Sequence, residues 1–388
     1  MKNKQNVPQV RFKGFTDDWE QRKLEKITSL ITKGTTPKDK SGEGEVNFIK
    51  VENIDPSSGE ITSCSRISLE EHDGYLKRSQ LKENDILFSI AGTLGRTSVV
   101  NKGILPANTN QALAILRMSE SGISYLVTVL RGRAVSDYIK KNPTVGAQPN
   151  LSLEQVSNLE IPYPKLEEQK KIGAYFSKLD TLITLHQRKC ETLQKLKKSM
   201  LQKMFPKNGS HFPEIRFKGF TDAWELRKFS ELYEKNMEKN SDLIGFDKTI
   251  SIATMTYKDE GNGASDSSLS AYKVLRIGDI AFEGHTSKEF RYGRFVANDI
   301  GIGLMSPRFS TLRPIKEMPV DFWKHYIHYE PIMKYILVNA TKAGTMMNEL
   351  VIPEFLEQSL LVPSLKEQAK IGQYFTTLDH LITLHQRK

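Results

Sequence analysis

The stretch PKLEEQKKIGAYFSKLDTLITLHQRK at residues 164–189 returns as PSLKEQAKIGQYFTTLDHLITLHQRK at residues 363–388, with 19 of 26 positions identical. A second pair of segments, PQVRFKGFTDDWEQRKLEKI from residue 8 and PEIRFKGFTDAWELRKFSEL from residue 213, shares 12 of 20 positions. The sequence between these anchors has diverged but stays collinear. Such a fixed period predicts that one fold is used twice, each time as a variable body followed by a constant tail. A simple duplication with uneven drift is the plain alternative.

The constant tail has the pattern of a long amphipathic helix. Apolar residues return from Leu166 onward at alternating steps of three and four, the spacing of a coiled-coil seam. This seam comprises Ile172, Phe176, Leu179, Ile183, His186, Cys190, Leu193, Lys197, Met200 and Met204, and Pro206 ends the helix. Two such helices in one chain predict an antiparallel pair, with the two LITLHQRK segments facing each other.

Three smaller features of the tails carry predictions of their own. Ser364 and Glu367 form a capping-box pattern at the start of the second helix. Gly173 and Gly372 share one interior position, where a glycine either lets another backbone approach closely or is an inherited accident. CETLQKLKKSMLQKMFP follows the first copy but not the second, so we expect the second helix to lack about fifteen residues of matching tail.

Composition and charge restrict the class of protein. No run of about 18 apolar residues is present to span a membrane, and the N-terminus has no secretory pattern. Cys64 and Cys190 lie far apart, which is typical of reduced thiols and predicts a cytoplasmic protein. The net charge of +10 suggests a polyanionic partner, but residues 161–212 alone hold 11 basic against 4 acidic residues. Local clusters must therefore support any nucleic-acid argument, and the charged tail is equally well a solvated helix face.

The motif search predicts a binding protein that catalyses nothing itself. No phosphate-binding loop, dinucleotide fingerprint, metalloprotease motif, paired-cysteine motif or nucleophile elbow occurs. His325 and His328 lie one helical turn apart but lack a third metal ligand in the sequence, so no metal site is predicted.

The bodies read as mixed α and β. VNFIKV, DILFSI and ALAILRM are predicted strands, and SYLVTVLRGRAVSDYIKK and VDFWKHYIHYEPIMKYIL are predicted helices. Loops rich in amides, hydroxyls and basic residues hold the side chains that pair with base edges and phosphates. The candidate DNA-binding residues of the first body are Lys33, Thr35, Thr36, Lys38, Arg96, Asn108, Asn110, Gln111, Arg131, Arg133, Lys140, Lys141, Gln148 and Asn150. Those of the second body are Lys258, Lys288, Arg291, Arg294, Arg308, Lys342 and Asn348.

Taken together, these features resemble the specificity subunits of type I restriction–modification systems. The resemblance covers essentially the whole chain and rests on the doubled RFKGFTD entry, the DILFS-type strand and the Pro-x-Leu-x-Glu-Gln-x-x-Ile segments starting at Pro164 and Pro363. It implies an α+β fold, with two mixed target-recognition domains related by a pseudo-twofold and joined by two long helices in an antiparallel coiled coil. The boundaries implied are 1–160 and 207–359 for the two domains, and 161–206 and 360–388 for the spacer helices, the second of which we expect to be truncated.

The same resemblance implies how such a subunit works. Each domain reads one half of a bipartite site in double-stranded DNA, and the helices seat two modification subunits, joined by two restriction subunits. S-adenosylmethionine, ATP and magnesium belong to those partners, and no cofactor is expected in this chain. The side chains expected to dock the partners are Gln169, Ile172, Phe176, Leu179, Gln368, Ile371, Phe375 and Leu378.

Two other readings stay open at this point. The chain could be a fragment of a fused restriction–methylation enzyme, or a coiled-coil scaffold whose repeated domains bind protein.

If both domains read one side of B-DNA, their half-site centres lie about 34 Å apart. Inserting or deleting about one heptad in residues 185–205 is then expected to change the unread spacer and leave both half-sites intact.

Overall fold

The structure is a computed structural model that describes residues 8–119, 122–141, 150–207, 209–258 and 266–386. It divides into two compact units, Met1–Leu185 (unit 1) and His186–Lys388 (unit 2). One helix, Leu166–Met204, contributes its first half to unit 1 and its second half to unit 2. This helix begins and ends where the seam and Pro206 predict.

Unit 1 is built mainly from strands. Its strands are β1 (Glu20–Lys23), β2 (Thr28–Lys33), β3 (Val46–Ile49), β4 (Ser65–Ile67), β5 (Ile86–Ser89), β6 (Thr97–Val99), β7 (Ala107–Thr109), β8 (Leu113–Met118) and β9 (Glu160–Tyr163). Its helices are α1 (Leu69–Asp73), α2 (Ile123–Leu130), α3 (Arg133–Lys141), α4 (Leu153–Ser157) and the first half of α5 (Leu166–Met204). The predicted strands therefore form, while the helix predicted from SYLVTVLRGRAVSDYIKK is interrupted at Arg131 and Gly132 into α2 and α3.

Unit 2 repeats this plan. Its strands are β10 (Glu225–Lys228), β11 (Tyr233–Lys235), β12 (Ile250–Ser251), β13 (Thr256–Tyr257), β14 (Lys273–Leu275), β15 (Ile280–Glu283), β16 (Arg294–Ala297), β17 (Gly303–Met305), β18 (Ser310–Pro314), β19 (Thr341–Lys342), β20 (Glu349–Leu350) and β21 (Ser359–Val362). Its own helices are α6 (Val320–Tyr326), α7 (Glu330–Leu337), α8 (Ile352–Glu357) and α9 (Leu365–Gln386). The second predicted body helix is likewise divided, into α6 and α7.

An antiparallel four-stranded sheet forms the centre of each unit. Its order is β2-β8-β5-β6 in unit 1 and β11-β18-β15-β16 in unit 2. Both faces are covered in unit 1: Ile86 and Phe88 pack beneath α2 and α3, while Leu87 packs on a second layer that contains Ile49. Burial on both sides explains why DILFSI is apolar without alternation. The matching sheets confirm that one fold is used twice.

The two conserved sequence anchors meet in each unit and close it. β1 pairs with β9, and β10 pairs with β21, which brings the RFKGFTD segment beside the start of the long helix. In unit 2 the guanidinium of Arg216 binds the carboxylate of Glu367 through two hydrogen bonds of 2.9 and 2.7 Å. Arg11 and Glu168 repeat this pair in unit 1 with the same distances. Only 2% of each glutamate side chain is exposed, so both anchors serve a structural purpose.

The shared glycine of the two tails stands where another helix crosses. A Cβ on Gly173 would lie 2.7 Å from the backbone nitrogen of Tyr125, and a Cβ on Gly372 would lie 2.6 Å from that of Phe322. Real Cβ atoms do not come this close to backbone, so the close-approach interpretation is confirmed. The capping box is only half formed: the Ser364 hydroxyl accepts from the Glu367 N–H at 3.4 Å, whereas the Glu367 carboxylate binds Arg216.

Within unit 2, residues 186–204 of α5 run antiparallel to α9. Nδ1 of His186 lies 2.8 Å from Nδ1 of His385, so the two LITLHQRK segments do face each other. Further along, Lys197 donates to Asp379 at 2.5 Å. Leu193 and Met204 are buried in the same core as residues of α9, which confirms the seam for this half of the helix.

Candidate nucleic-acid interface

Three connections, β2–β3, β7–β8 and β5–β6, leave the same end of the unit 1 sheet. Because neighbouring strands are antiparallel, the residues that follow β2 and β5 lie beside those that precede β8 and β6. Lys33 to Lys38 follow β2, Asn110 and Gln111 precede β8, and Arg96 precedes β6. Segments separated by more than 50 residues in sequence thus form one polar surface.

The first two of these connections are bonded directly to each other. The N–H groups of Gly34 and Thr35 donate to the carbonyls of Leu113 at 3.2 Å and Thr109 at 2.9 Å. A Cβ on Gly34 would lie 2.0 Å from the Thr109 oxygen, so only glycine permits this approach. The Thr36 hydroxyl donates to Oε1 of Gln111 at 3.0 Å. The two groups predicted separately are one cluster.

An exposed aromatic ring lies beside the cluster. The Lys38 ammonium lies 4.7 Å from the centre of the Tyr75 ring, which is 52% exposed. Arg78 donates through Nε to the Thr35 hydroxyl at 3.2 Å. The sequence search missed Tyr75, Lys77 and Arg78, although a tyrosine close to two basic residues is a signal that could have identified them. Such a ring offers apolar area beside charges that attract phosphate.

Three of the candidate DNA-binding residues make side-chain contacts within unit 1. Asn108 is fully buried and its Nδ2 donates to the carbonyl of Leu76 at 2.9 Å, so it cannot reach a base edge. Arg96 donates through Nη1 to the backbone carbonyls of residues 51 and 54 at 3.1 and 2.9 Å. Arg131 donates through Nη2 to the carbonyl of Thr97 at 2.8 Å. Burial removes Asn108 from the candidate surface, whereas Arg96 and Arg131 use only part of their donors inside the unit and their contact with DNA stays a prediction.

The remaining candidates of unit 1 lie on α3 and just beyond it. Lys140 and Lys141 are exposed at its end, and Arg133 pairs with Asp137 at 3.4 Å while remaining largely exposed. A Cβ on Gly95 would lie 3.4 Å from Cδ1 of Ile139, which places α3 against the connection between β5 and β6. Asn150 forms a bridge with Ala91 in that same connection. Gln148 lies outside the described residues.

Unit 2 gathers its candidates at the corresponding end of its sheet. Lys288 and Arg291 lie between β15 and β16, and Arg308 directly precedes β18. Asn348 joins them, because its N–H donates to the carbonyl of Gly284 at the end of β15 at 2.9 Å. Within the described part of the chain, Lys288, Arg291 and Arg308 are exposed and have no carboxylate within salt-bridge distance, so their charge is available to an anion.

The other candidate residues of unit 2 differ in how far their charges are paired within the unit. The Arg294 guanidinium is held by Glu283 at 2.6 Å and by the Ala253 carbonyl at 3.1 Å, so its charge is paired within the unit, and its contact with DNA stays a prediction. Lys342 lies 3.4 Å from Glu349 but remains exposed. Lys258 is exposed directly after β13.

A cavity of about 380 Å³ opens at this end of unit 2. Arg308, Asn348 and the apolar side chains of Phe309, Met346 and Met347 line it. Met346 is 74% exposed, and Nη2 of Arg308 lies 3.6 Å from its sulfur. The methionines were missed because nothing in their spacing marks them. Apolar side chains beside a cation suit the methyl-bearing edge of a base.

The side chains expected to dock partner subunits are mostly committed to the units themselves. Nε2 of Gln169 donates to the carbonyl of Pro164 at 2.8 Å, and Nε2 of Gln368 donates to that of Pro363 at 2.9 Å. Ile371, Phe375 and Leu378 are 2%, 0% and 5% exposed within the core of unit 2. These five side chains are buried within the units, and their part in docking another chain stays a prediction. In unit 1, Phe176 is 43% exposed, and Ile172 and Leu179 are partly exposed.

No group of three metal-ligating side chains occurs among the described residues. Nor does any described helix combine the length and the apolar character that crossing a bilayer requires.

Known proteins with similar sequences all point to one family. The model of the type I restriction modification DNA specificity domain matches residues 16–195. A Methanocaldococcus jannaschii protein whose name assigns it to the MjaX type I restriction enzyme as a specificity subunit is 27% identical over 268 residues, which are 67% of this chain and 61% of that protein. The MjaVIII specificity subunit of the same organism is 24% identical over 339 residues, covering 79% of this chain and 75% of the relative.

A solved structure agrees with these matches in fold. The S subunit of the type I restriction–modification system from M. genitalium superposes with a TM-score of 0.63 at 14% identity, covering 98% of this chain and 94% of that one. Its helices and sheets support the predicted α+β class. The second half of our chain repeats the first in sheet order and in its conserved ion pair. The chain is therefore similar to type I restriction enzyme specificity subunits, and its residues 16–195 match the DNA specificity domain of that family.

Proposed function

We propose that the chain is the DNA-reading subunit of a type I restriction–modification enzyme and that each unit reads one half of a bipartite site in double-stranded DNA. The observation that carries this proposal is the gathering of exposed cations and amides at the same end of both central sheets. In unit 1 these are Lys33, Lys38 and Gln111, and in unit 2 Arg308, with the partly exposed Asn348 beside it. Amides and cations are the side chains that read base edges, and cations also bind phosphates.

The divergence between the units supports two different half-sites. Tyr75, Lys38 and Gln111 form the exposed surface of unit 1, whereas unit 2 presents Arg308 and the exposed Met346 around a cavity. Surfaces with different donors, acceptors and shapes select different bases. The frame that holds them is nearly the same in both units, down to the buried arginine–glutamate pair.

We further propose that the chain supplies specificity and its partners supply chemistry. Modification and restriction subunits would dock on this chain, and S-adenosylmethionine, ATP and magnesium would bind in those partners. The relatives' names, which describe specificity subunits of restriction enzymes, support this division of labour.

Methylation mapping tests the proposal directly. The chain is expressed with its modification subunits, and the methylated sites of the host genome are read. Lys38→Ala with Tyr75→Ala is expected to relax or lose recognition of one half-site, and Arg308→Ala with Lys288→Ala that of the other. Lys102→Ala and Lys316→Ala are matched controls, because these exposed lysines follow β6 and β18 at the opposite end of the sheets. Loss of both half-sites by either pair, or of one by a control, would contradict the assignment.

A protein-binding scaffold predicts a different result. Its binding to a DNA duplex would be weak, indifferent to sequence and abolished by moderate salt, because only unspecific charge would drive it. Titrating duplexes that contain and lack the mapped site at two salt concentrations separates the two functions.

A further inference from the structure

One loop of unit 2 presents an apolar side chain among polar ones. The connection between β19 and β20, residues 343–348 and hereafter the methionine loop, holds two adjacent methionines. Met346 is 74% exposed, whereas Met347 is partly buried. Thr345 and Asn348 flank this pair with polar groups. One exposed methionine offers too little apolar area for a protein interface, so its shape and size suit a small apolar group.

The methionine loop is held in place at the candidate interface of unit 2. β19 and β20 pair antiparallel and close the loop at its base. A Cβ on Gly284 would lie 1.8 Å from the carbonyl oxygen of Asn348, so only glycine lets the loop approach the end of β15 this closely. The Asn348 amide also donates to the carbonyl of Arg291 at 3.5 Å. The loop therefore presents Met346 from a fixed position, which a side chain needs if it is to select one base.

A cation lies beside the exposed methionine. Nη2 of Arg308 is 3.6 Å from the sulfur of Met346, and both residues line the cavity of about 380 Å³. Arg308 is exposed, so its charge attracts a polyanion to the mouth of the cavity. The polarisable thioether beside it is free for an apolar contact. This combination suits a groove of DNA, where phosphates flank the base edges.

We propose that the methionine loop enters the major groove and that Met346 reads the 5-methyl group of one thymine in the half-site of unit 2. This inference rests on the proposed function of unit 2 as a DNA reader. The thymine methyl is the apolar group among the base edges of B-DNA, and it lies in the major groove. Burying that methyl against the thioether is expected to favour thymine about fourfold over the same base without it.

The corresponding segment of unit 1 has different chemistry in its sequence. GTMMN at residues 344–348 aligns with GAQPN at residues 146–150, so Gln148 stands at the position of Met346. A glutamine reads base edges through hydrogen bonds, above all those of adenine, whereas a methionine offers mainly apolar contact. This difference is expected if the two units use the same loop to read different bases.

Replacing thymine with uracil tests the proposal, because deoxyuridine keeps every hydrogen-bonding group of thymidine and lacks only the methyl. The chain with its modification subunits is titrated by fluorescence anisotropy with duplexes that carry the mapped site and one deoxyuridine at a time. In the half-site affected by Arg308→Ala with Lys288→Ala, we expect one thymine at which uracil weakens binding about fourfold. That penalty is expected to disappear in Met346→Ala and to remain in Met346→Leu, which keeps an apolar tip.

Met237→Ala is the matched control, because Met237 is 69% exposed and is not among the described residues that line the cavity. It is expected to leave the uracil penalty unchanged, whereas Met346→Gln is expected to remove it. The proposal is overturned if no position of that half-site shows the penalty, if Met346→Ala leaves it in place, or if the half-site holds no thymine on either strand. Any of these results with specific binding intact refutes the methyl contact alone, whereas binding that is indifferent to sequence refutes the proposed function.

Discussion

Replacing Arg216 with methionine removes one half of a buried ion pair and leaves the carboxylate of Glu367 without its main partner. That carboxylate is 2% exposed and accepts both hydrogen bonds of the guanidinium. Breaking a buried pair by deleting one partner costs about 3–5 kcal/mol, because the remaining charge stays desolvated. The guanidinium is 12% exposed, so water can partly replace it, and we expect a loss near the lower end, about 3 kcal/mol.

Urea unfolding followed by tryptophan fluorescence measures this loss. Trp224 and Trp323 are buried in unit 2, so a Trp19→Phe background restricts the signal to that unit. Arg227→Met is the matched control, because Arg227 pairs with Glu225 at 2.6 Å on the surface, where both side chains are about half exposed or more. We expect a much smaller loss there, since exposed ion pairs contribute little.

A double variant decides whether the ion pair itself is responsible. Arg216→Met with Glu367→Leu removes both charges, and we expect it to recover most of the stability lost by Arg216→Met alone. The reasoning is refuted if Arg216→Met costs no more than the surface control. It is also refuted if the double variant is less stable than the single one, because apolar packing or shape would then dominate over the unpaired charge.

Three further predictions address other parts of unit 2. Gly372→Ala is expected to cost about 1–3 kcal/mol in urea unfolding, because the new Cβ would lie 2.6 Å from the nitrogen of Phe322 and the helix propensity gained is only about 1 kcal/mol. Burial and nearby lysines lower the pKa of His325 from 6.5 to about 3, so stability is complete above pH 6.5 and falls as the pH drops toward 3. The loss should reach about 2 kcal/mol at pH 5 and largely disappear in His325→Gln. Arg308→Ala is expected to weaken DNA binding and reduce its salt dependence by about one phosphate contact, whereas Lys316→Ala leaves both unchanged.

The pH prediction depends on whether a neighbouring carboxylate offsets the effect of burial on the pKa of His325. Nε2 of this residue lies 3.5 Å from Asp379, a carboxylate that would favour the charged imidazole if it were alone. That carboxylate already accepts from Lys197 at 2.5 Å, so its field is largely neutralised. Burial therefore prevails, and the neutral imidazole is the stable form.

Repetition in the sequence was enough to predict the architecture. A long helix with heptad spacing, two bodies and their antiparallel tails all follow from periodicity, which reports burial averaged over many residues. Single residues were less predictable. Asn108 has the right chemistry for adenine but is fully buried, and its amide bonds Leu76. Whether an amide points outward depends on the packing of strands far away in sequence.

The sequence alone could likewise not predict that the candidate DNA-binding residues lie close together. Lys38, Tyr75 and Gln111 belong to three separate segments that only strand order brings together. Helix interruptions were missed for a related reason. Arg131 and Gly132 end α2 within a pattern that reads as one helix, because Arg131 bonds carbonyls of neighbouring segments.

The octapeptide LITLHQRK shows why identical sequence does not imply identical environment. Ile183 and Ile382 occupy the same position in the two copies, yet one is five times as exposed as the other. Local propensity makes both copies helical, since it depends on near neighbours alone. Burial depends on residues outside the octapeptide: Leu193, Met204 and Phe205, which follow the first copy, lie in the core that contains Ile382 of the second. A repeated sequence thus specifies the same helix twice, while residues outside the repeat decide how far its apolar face is buried.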